Sequence, residues 1–381
     1  MNYFYMTHLS CIIRNMNRAP NKSIPDQPFN SLPLLPPEKE KTETKKVLRQ
    51  TISASIALTE LKGVVNTLPN PEILLNAVIL REARASSEIE NVITTQDKLY
   101  QALSAKSVEA DTSTKEVLRY REAVLAGFRS VKKKGFLSSN DIIKIQKILE
   151  ENNAGIRKLP GTALKNAATG KTIYTPPDKY DSLLSLMKNF DEYLNETDEL
   201  APLIKMAIQH YQFESIHPFY DGNGRTGRII NVLYLILHGL LESPVLYLSK
   251  FIIENKSDYY RLLQEVRMKD NWEEWILFIL RGVEKTAKET IQQIKEINKL
   301  FQSASEKIKL EIQKPFNKEL LELLFEQPYC KIDYVVERLN ISRITASKYL
   351  KELKEIGILE SKQVWKETLY INTKLFNLLK S

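Results

Sequence analysis

One loop, followed directly by a helix, constrains this chain more than any other stretch. Residues 217–228 read His-Pro-Phe-Tyr-Asp-Gly-Asn-Gly-Arg-Thr-Gly-Arg, and a mainly apolar run, 229–237, continues from them. Gly222 and Gly224 tolerate positive φ and let backbone N–H groups point at one place. Beside a helix N-terminus, such a loop attracts anions through free N–H donors and the positive end of the helix dipole. The stretch therefore predicts an anion site.

The charged residues of the loop indicate which anion. Arg225 and Arg228 are three residues apart on the first helical turn, so both guanidinium groups can reach one phosphate chain. Asp221 suits a divalent cation that bridges phosphate oxygens. His217, with an ordinary pKa of about 6.5, suits a general base. Each feature alone is weak, and a His-Pro-Phe triplet is often only a turn, but the complete set at this spacing favours a polyphosphate site with a metal ion.

Composition limits the class of protein. The 381 residues are 43% hydrophobic, which predicts two or three globular domains, and the net charge of +8 decides little because charges of both signs are frequent. With only Cys11 and Cys330, we expect no disulfide framework and a reducing compartment. No run of about 20 apolar residues and no signal peptide is present. We therefore expect a cytoplasmic protein without membrane contact.

The N-terminal third divides into two parts. Residues 1–37 are rich in Pro, Asn and basic residues and predict an extended arm, in which Met16 is an alternative start to Met1. Residues 38–125 predict a helical region, with apolar residues at helical spacing from Lys45 to Val65. A second helix begins at Asn70-Pro71-Glu72 and extends to about residue 91.

The polar end of that second helix is ambiguous on residue chemistry alone. Ser86 and Glu90 are four residues apart and so share a face, and Asn91 is a suitable helix terminator. Charged helix ends are mostly solvated, which is the simple interpretation.

Residues 126–300 form the predicted core, which contains the loop and two further candidate features. Residues 163–176 have short arms around Thr169-Gly170 and predict a β-hairpin, although a surface connection is the alternative. After the apolar helix that follows the loop, Asn255 could hydrogen-bond a purine and Tyr259 could stack on it. Tyrosines at helical spacing are more often core residues.

The C-terminal residues 301–381 predict a separate domain. Two helices around a turn at Asn340-Ile341-Ser342, followed by two strands, have the order of a winged helix-turn-helix. Its second helix would present polar and basic residues to a DNA major groove: Arg343, Thr345, Ser347, Lys348 and Lys351. The region has 14 Lys and Arg against 11 Asp and Glu. This modest excess leaves a protein contact or homodimerisation as equal alternatives to DNA.

The loop resembles the signature of the Fic family at every defined position. That signature is His-Pro-Phe, one variable residue, Asp or Glu, Gly-Asn, Gly or Lys, Arg, two variable residues and Arg, and residues 217–228 match it. Fic proteins usually transfer AMP from ATP to a hydroxyl group of a target protein. The resemblance implies that His217 is the base and Asp221 holds Mg²⁺. It assigns the phosphates to the rest of the loop: Gly222, Asn223, Gly224, Arg225, Thr226, Gly227 and Arg228.

Three more features gain a role from this resemblance. Ser86 to Asn91 is similar to the inhibitory motif of some Fic proteins, Ser or Thr, three residues, Glu, then Gly or Asn. The motif implies that Glu90 pairs with Arg228 where the γ-phosphate would bind, since a carboxylate and a phosphate compete for one guanidinium group. The hairpin at 163–176 resembles the Fic flap, on which a target protein docks as an added strand. Asn255, with Tyr259 as the weaker candidate, would bind adenine.

The predicted fold is mainly α: a Fic-type helical bundle with a small β-hairpin flap, plus a C-terminal winged helix-turn-helix domain. The predicted activity is protein adenylyltransfer, including self-modification, with ATP as substrate and Mg²⁺ as cofactor. Three alternatives remain. The protein could be a DNA-binding regulator that only senses nucleotide, an enzyme that transfers UMP, phosphate or phosphocholine, or an enzyme that removes AMP.

Overall fold

The structure, a computed structural model, describes residues 23–68, 70–104, 110–165, 169–312, 318–364 and 367–380. Most of the predicted N-terminal arm, with Met16, lies outside these residues, as do the tip of the hairpin at 166–168 and residues 365–366. Residues 23–37 of the arm have no helix or strand and pack on the body. Phe29, Leu32 and Leu35 of this segment are buried. Within the described ranges, no helix is long and apolar enough to span a membrane.

Helices dominate the N-terminal region, as predicted. Thr44 caps α2 by accepting a hydrogen bond from the Val47 N–H, and Asn70 accepts one from Glu72 at the start of α3. Ser138 and Asp141 form a reciprocal capping box at α6. The bounds are α1 Lys39–Thr42, α2 Lys45–Val65, α3 Glu72–Ile89, α4 Gln96–Ser104, α5 Thr112–Lys134 and α6 Ser139–Glu150.

The predicted hairpin is present but shorter than residues 163–176. Strand β1, Leu164–Lys165, pairs antiparallel with β2, Thr172–Tyr174. Such a small hairpin needs external support. The Tyr174 hydroxyl donates to the Ser215 carbonyl at 2.8 Å, and the Gln264 side chain donates to the Ile173 carbonyl at 2.5 Å. The second strand is thereby fixed to α8, Pro202–Ile216, which precedes the signature loop, and to the later helix α11, Lys256–Lys269.

Two buried helices carry that loop between them. Almost every side chain of α8, Pro202–Ile216, and of α9, Asn223–Leu237, is buried, because neighbouring helices cover both on several sides. The long helix α12 packs along α2 and also contacts α8, where the Trp275 indole donates to the Ala207 carbonyl at 2.8 Å. The remaining helices of the body are α7 Tyr180–Asn195, α10 Leu248–Glu254, α11 Lys256–Lys269 and α12 Trp272–Glu311.

The C-terminal region has the predicted order of two helices and then two strands. Its elements are α13 Lys318–Glu326, β3 Tyr329–Cys330, α14 Ile332–Leu339, α15 Arg343–Glu355, β4 Glu360–Val364, β5 Glu367–Ile371 and α16 Thr373–Lys380, with antiparallel sheet order β3-β5-β4. The short strand β3 was not predicted. We expected the first wing strand to begin at Ile358, but it begins two residues later, at Glu360. The N–H groups of Ile358 and Leu359 still bond to the Leu353 carbonyl at the end of α15.

The C-terminal region packs against the helix that follows α3. Tyr100 of α4 stacks on Tyr329 of β3, with ring centroids 5.8 Å apart and nearly parallel planes. The Ser104 hydroxyl donates to the Tyr329 carbonyl at 3.1 Å. The region is therefore joined to the N-terminal helices and not only to α12.

Candidate functional site

His217 lies at the C-terminal end of α8, in the left-handed region with φ of 49°. Burial, together with the positive charges of Arg157 and Arg267, lowers the pKa of its imidazole to about 4, although the negative charge of Glu90 opposes this. The ring is therefore neutral at pH 7. A neutral imidazole can accept a proton.

The loop after His217 is shaped by Asn223. Its side-chain oxygen accepts from the Phe219 N–H and its side-chain nitrogen donates to the Phe219 carbonyl, both at 2.8 Å. Gly222 has φ of 77°, and its N–H donates to Asp221 Oδ1 at 2.7 Å. The Asn223 amide thus closes the loop and is not directed at a ligand. The loop leads directly into α9, and Gly224 lies in the first turn of that helix.

Gly224 and Gly227 are required for close packing. A Cβ atom on Gly224 would lie 3.0 Å from Arg228 Nη1 and would also collide with the Glu90 carboxylate. A Cβ atom on Gly227 would lie 3.0 Å from Glu214 Oε1, on the side of α9 that faces α8. Thr226 is fully buried, and its hydroxyl has no partner among the described residues. Gly227 and Thr226 therefore lie in the packed interior of the loop, and their predicted contact with phosphate stays a prediction.

Arg228 joins α9 to the end of α3. Its Nε donates to the Ser86 hydroxyl at 2.8 Å, and its Nη2 donates to the Ser86 carbonyl at 2.9 Å and to Glu90 Oε1 at 2.8 Å. Glu90 follows the last residue of α3, and Asn91 then leaves the helix with φ of 66°. Two residues that are 138 positions apart thus form one ion pair.

The two members of this pair differ in their exposure. The Arg228 side chain is 3% exposed, whereas the Glu90 side chain is 37% exposed. Burial alone would raise the pKa of Glu90, but the charge of Arg228 outweighs burial and holds that pKa below its usual value. Burial likewise opposes the charge on Arg228, and Glu90 raises the pKa of its guanidinium above the ordinary value. The pair is fully ionised at neutral pH.

Arg225 has different partners from Arg228. Its Nη2 donates to Glu150 Oε1 at 2.8 Å and its Nη1 to Glu116 Oε2 at 3.2 Å, and the side chain is buried. The charge of Arg225 also helps to lower the pKa of Glu90, so the two groups are within electrostatic range. The spacing of three residues led us to expect both arginines on one ligand. In this structure Arg225 is satisfied by carboxylates from α5 and α6 instead.

Asp221 is the predicted metal ligand. It is exposed beside the loop, and no group of three or more His, Cys, Asp or Glu side chains that could hold a metal occurs within the described part of the chain. One exposed carboxylate fits Mg²⁺, because this ion keeps several waters and is usually bound through one or two carboxylates together with phosphate oxygens. Asp221 therefore fits a metal that arrives with a nucleotide.

The two predicted adenine contacts differ in their surroundings. Asn255 is partly buried between α10 and α11, and its side chain donates to the Phe251 carbonyl at 2.8 Å. Tyr259 is 1% exposed, packs on Trp275, and its hydroxyl contacts His210 Nε2 at 3.0 Å. A base cannot stack on a ring that both core neighbours cover, so the prediction for Tyr259 does not fit this structure.

We predicted no place at the site for the adjacent Tyr260. It is 41% exposed, and burial and the negative charge of Glu90 raise the pKa of its hydroxyl, which places the side chain close to the ion pair. The sequence offered two consecutive tyrosines, and helical periodicity does not decide which one turns inward.

Arg157, which we also did not predict, supports the loop through hydrogen bonds to backbone carbonyl groups. It is 1% exposed, its Nε donates to the His217 carbonyl at 2.8 Å, and its Nη2 donates to the Pro177 carbonyl and, at 3.4 Å, to the Ile216 carbonyl. Its own N–H donates to the Pro218 carbonyl at 2.9 Å. One side chain thus connects the base to the root of the hairpin. Residues 155–159 have no regular pattern, so the sequence gave no signal for this contact.

Three models of protein families match consecutive parts of the chain. Residues 48–129 match the N-terminal region of the Fic/DOC family, residues 136–235 match the Fic/DOC family itself, and residues 300–375 match the C-terminal domain of SoFic-like protein adenylyltransferases. The second match contains His217, Arg228 and the loop between them. This part of the chain is therefore similar to the Fic/DOC family.

Individual proteins named or described as Fic are also similar to this chain. The proteins named protein adenylyltransferase Fic from Drosophila grimshawi and Drosophila melanogaster are each 34% identical over 115 residues, which is 30% of this chain and 22% of theirs. The match thus spans about a fifth of the length of these curated relatives. A crystal structure of a Fic family protein from Desulfovibrio desulfuricans shares the fold with a TM-score of 0.56 and 18% identity, over 88% of this chain and 98% of that one.

Proposed function

We propose that this protein transfers AMP from Mg-ATP to a Ser, Thr or Tyr hydroxyl of a target protein and of itself, and that Glu90 restrains the transfer. The observation that carries the proposal is the ion pair between Glu90 and Arg228, which lies within electrostatic range of the neutral base His217. An anion-binding guanidinium next to a proton acceptor suits phosphoryl chemistry on a nucleotide. A carboxylate on that guanidinium suits restraint, because it occupies a place for phosphate.

The reaction needs one proton transfer and one substitution at phosphorus. The target hydroxyl oxygen forms a bond to the α-phosphorus of ATP while His217 takes the hydroxyl proton. The bond from the α-phosphorus to the oxygen bridging to the β-phosphate breaks, and pyrophosphate leaves. His217 can take the proton because its pKa of about 4 keeps the ring neutral at pH 7. A general base of this kind contributes about 10²–10⁴-fold to a rate.

Charge neutralisation is assigned to the loop and the metal. Asp221 would hold Mg²⁺, which neutralises phosphate charge when bound. The N–H groups at the start of α9 and the guanidinium of Arg228 would bind phosphate oxygens once Glu90 has moved away. Arg225 could join them only if it released Glu150 or Glu116.

The target would dock on the hairpin. The described sheet there has two strands, so β1 and β2 each leave one backbone edge without a strand partner. An extended peptide can add to such an edge through main-chain hydrogen bonds. Tyr174 fixes β2 to α8, the helix that ends at His217, and Gln264 of α11 holds the same strand. Arg157 joins the segment that follows β2 to the His217 carbonyl. This rigid link would bring a docked hydroxyl to the base.

Intact-mass spectrometry tests the transferred group. The protein is incubated with Mg²⁺ and an equal mixture of ATP, UTP, CTP and GTP, and we expect the mass of one AMP group to be added. His217→Ala should abolish the addition. His238→Ala is the matched control, because His238 follows the other end of α9 and should change little.

The same measurement separates the other chemistries. Addition of UMP or of phosphate would replace AMP as the transferred group, and an added phosphocholine group, tested with CDP-choline, would do the same. Loss of AMP from a modified protein would assign removal. If the wild type and the Glu90→Ala variant both leave every protein unmodified, the adenylyltransferase proposal is wrong.

A further inference from the structure

The outer face of helix α15 carries three exposed residues and one partly buried residue. Ile344, Ser347, Lys348 and Lys351 follow the i, i+3, i+4, i+7 spacing of one helix face, and Ala346, Leu350 and Leu353 face the core of the domain. Ile344 is 82% exposed and has no apolar cover. A shallow groove of about 640 Å³ runs along this face and is bounded by Ile332. A single exposed apolar residue does not by itself mark a contact surface, so the charges around Ile344 carry the argument.

The basic residues of this surface precede its acidic ones along α15. From Asn340 to Lys351 the chain has Arg343, Lys348 and Lys351 and no acidic residue, and Glu352 and Glu355 follow only in the last turn of α15. Asp333 forms an ion pair with Arg343 and offsets its charge, which leaves Lys348 and Lys351 as the basic residues of this face without an ion pair among the described residues. The first two turns of α15 also have the positive end of the helix dipole. This half of the helix is therefore complementary to an anionic partner, while the acidic end would repel one.

Strand β4 of this domain is also exposed, but its lysine has an acidic partner. Residues 360–363 of β4 are exposed, and Lys362 among them is 3.9 Å from Asp97 of α4. The turn residues Asn340 and Ser342 fix the angle between α14 and α15, since Asn340 has φ of 50° and the Ser342 hydroxyl caps α15. Helix α15 thus projects from a folded domain as a rigid element, with a strand pair beside it.

We propose that the face formed by Ile344, Ser347, Lys348 and Lys351 binds double-stranded DNA, with the N-terminal half of α15 in the major groove. A helix fits this groove, Lys and Arg side chains contact phosphates and guanine, and an apolar side chain such as Ile344 can contact the methyl group of thymine. The acidic last turn then lies where a recognition helix leaves the groove. Because this surface is separate from the cleft at His217, the inference does not depend on the proposed transfer activity.

Fluorescence polarisation with the full chain tests the inference. The probe is a fluorescein-labelled 24-base-pair duplex pool of random sequence, titrated at 50 and 200 mM salt. The double variant Lys348→Glu/Lys351→Glu should weaken binding at least about tenfold at 50 mM salt and reduce the slope of log K against log salt by about 2. The matched control is Lys144→Glu/Lys147→Glu, which reverses two exposed lysines at the same spacing on α6. It should leave binding nearly unchanged.

The outcomes are separable. Equal weakening in both double variants would show a general charge effect and overturn the site, as would no binding by the wild type at 50 mM salt. Self-association of the wild type that Lys348→Glu/Lys351→Glu abolishes, without DNA binding, would assign the face to a protein partner and also overturn it. In sequence selection from the pool, Ile344→Ala should relax a preference for thymine without changing the salt slope. An unchanged preference would remove Ile344 from the contact.

Discussion

Glu90 Oε1 lies 2.8 Å from Arg228 Nη2, and Ser86 holds the same guanidinium through two further hydrogen bonds. The guanidinium is buried, whereas the carboxylate is 37% exposed. A negatively charged ligand that binds Arg228 must therefore compete with Glu90, whereas Ser86 already orients the guanidinium. Ser86 therefore positions the Arg228 guanidinium, while Glu90 occupies the place at which an anion would bind it.

Replacing Glu90 by Ala should raise AMP transfer. The change removes one charge-assisted hydrogen bond, worth about 1.5–3 kcal/mol, so the apparent affinity for ATP should rise by roughly 10- to 100-fold. Self-modification, measured by intact mass over time, should rise with it. Glu88→Ala is the control, because Glu88 lies on the same turn of α3 outside the pair. If Glu90→Ala behaves like Glu88→Ala, Glu90 does not restrain the enzyme.

Replacing Arg157 by Met should loosen the loop that holds His217. The guanidinium loses its hydrogen bonds to three carbonyl groups, which should lower the free energy of unfolding by about 3 kcal/mol or more. Burial is the main cause of the low pKa of His217, and Arg157 adds to it, so the pKa should rise above about 4. NMR titration measures it, with His217→Gln to assign the signal.

Arg157→Lys is the comparison, since it keeps the charge but has a single donor group. It should lose stability as Arg157→Met does while leaving the pKa of His217 low. An unchanged pKa in Arg157→Met would show that the charge of Arg157 does not act on His217.

Replacing Gly222 by Ala should disturb Arg225 as well as the backbone. Positive φ costs a residue with a side chain about 1–2 kcal/mol. Gly135→Ala shares that cost, since its φ of 72° is close to the 77° of Gly222, and nothing lies within 4 Å of the added Cβ atom. At Gly222 the Cβ atom would lie 2.9 Å from Glu150 Cδ, so Glu150 must move away from Arg225. We expect an extra loss of about 1 kcal/mol in denaturant unfolding. Equal losses in both variants would contradict this.

Replacing Glu214 by Gln should make stability more sensitive to acid. Burial raises the pKa of Glu214 to about 7, although Arg228 opposes this, so the folded protein binds this proton below pH 7 and the unfolded chain only near pH 4.5. Glu214 therefore stabilises the fold as pH falls from 7 to 4.5. His217 has the opposite effect, because its pKa falls from 6.5 to about 4 on folding and the unfolded chain binds that proton first.

Glu214→Gln removes the proton uptake that stabilises the fold in acid. As pH falls from 6.5 to 5, the free energy of unfolding of the variant should therefore decrease by about 1.4 kcal/mol per pH unit more than that of the wild type. Urea unfolding of both proteins at pH 6.5 and pH 5 measures the difference. Parallel loss in the two proteins would show that Glu214 is ionised in the folded state.

Local features of the site could be predicted from the sequence because local chemistry determines them. Helical spacing and capping residues gave α3, α8 and α9, and the order of Gly, Asn and Arg residues gave the loop between α8 and α9. The family signature gave the fold class. Distances between elements could not be obtained in this way. The sequence does not distinguish Arg225 from Arg228. In the structure, carboxylates from α5 and α6 bind Arg225, whereas the end of α3 binds Arg228.

The sequence by itself determined a loop that turns into a helix, with its base, carboxylate and guanidinium groups, because φ preferences and helical periodicity act between neighbouring residues. Only the tertiary structure decided which groups are free. Packing of α11 on α12 buries Tyr259 and leaves Tyr260 at the cleft, and packing of residues 155–159 under the loop gives His217 its brace in Arg157. Such contacts join residues far apart in the chain, and their energies depend on burial that no local pattern encodes.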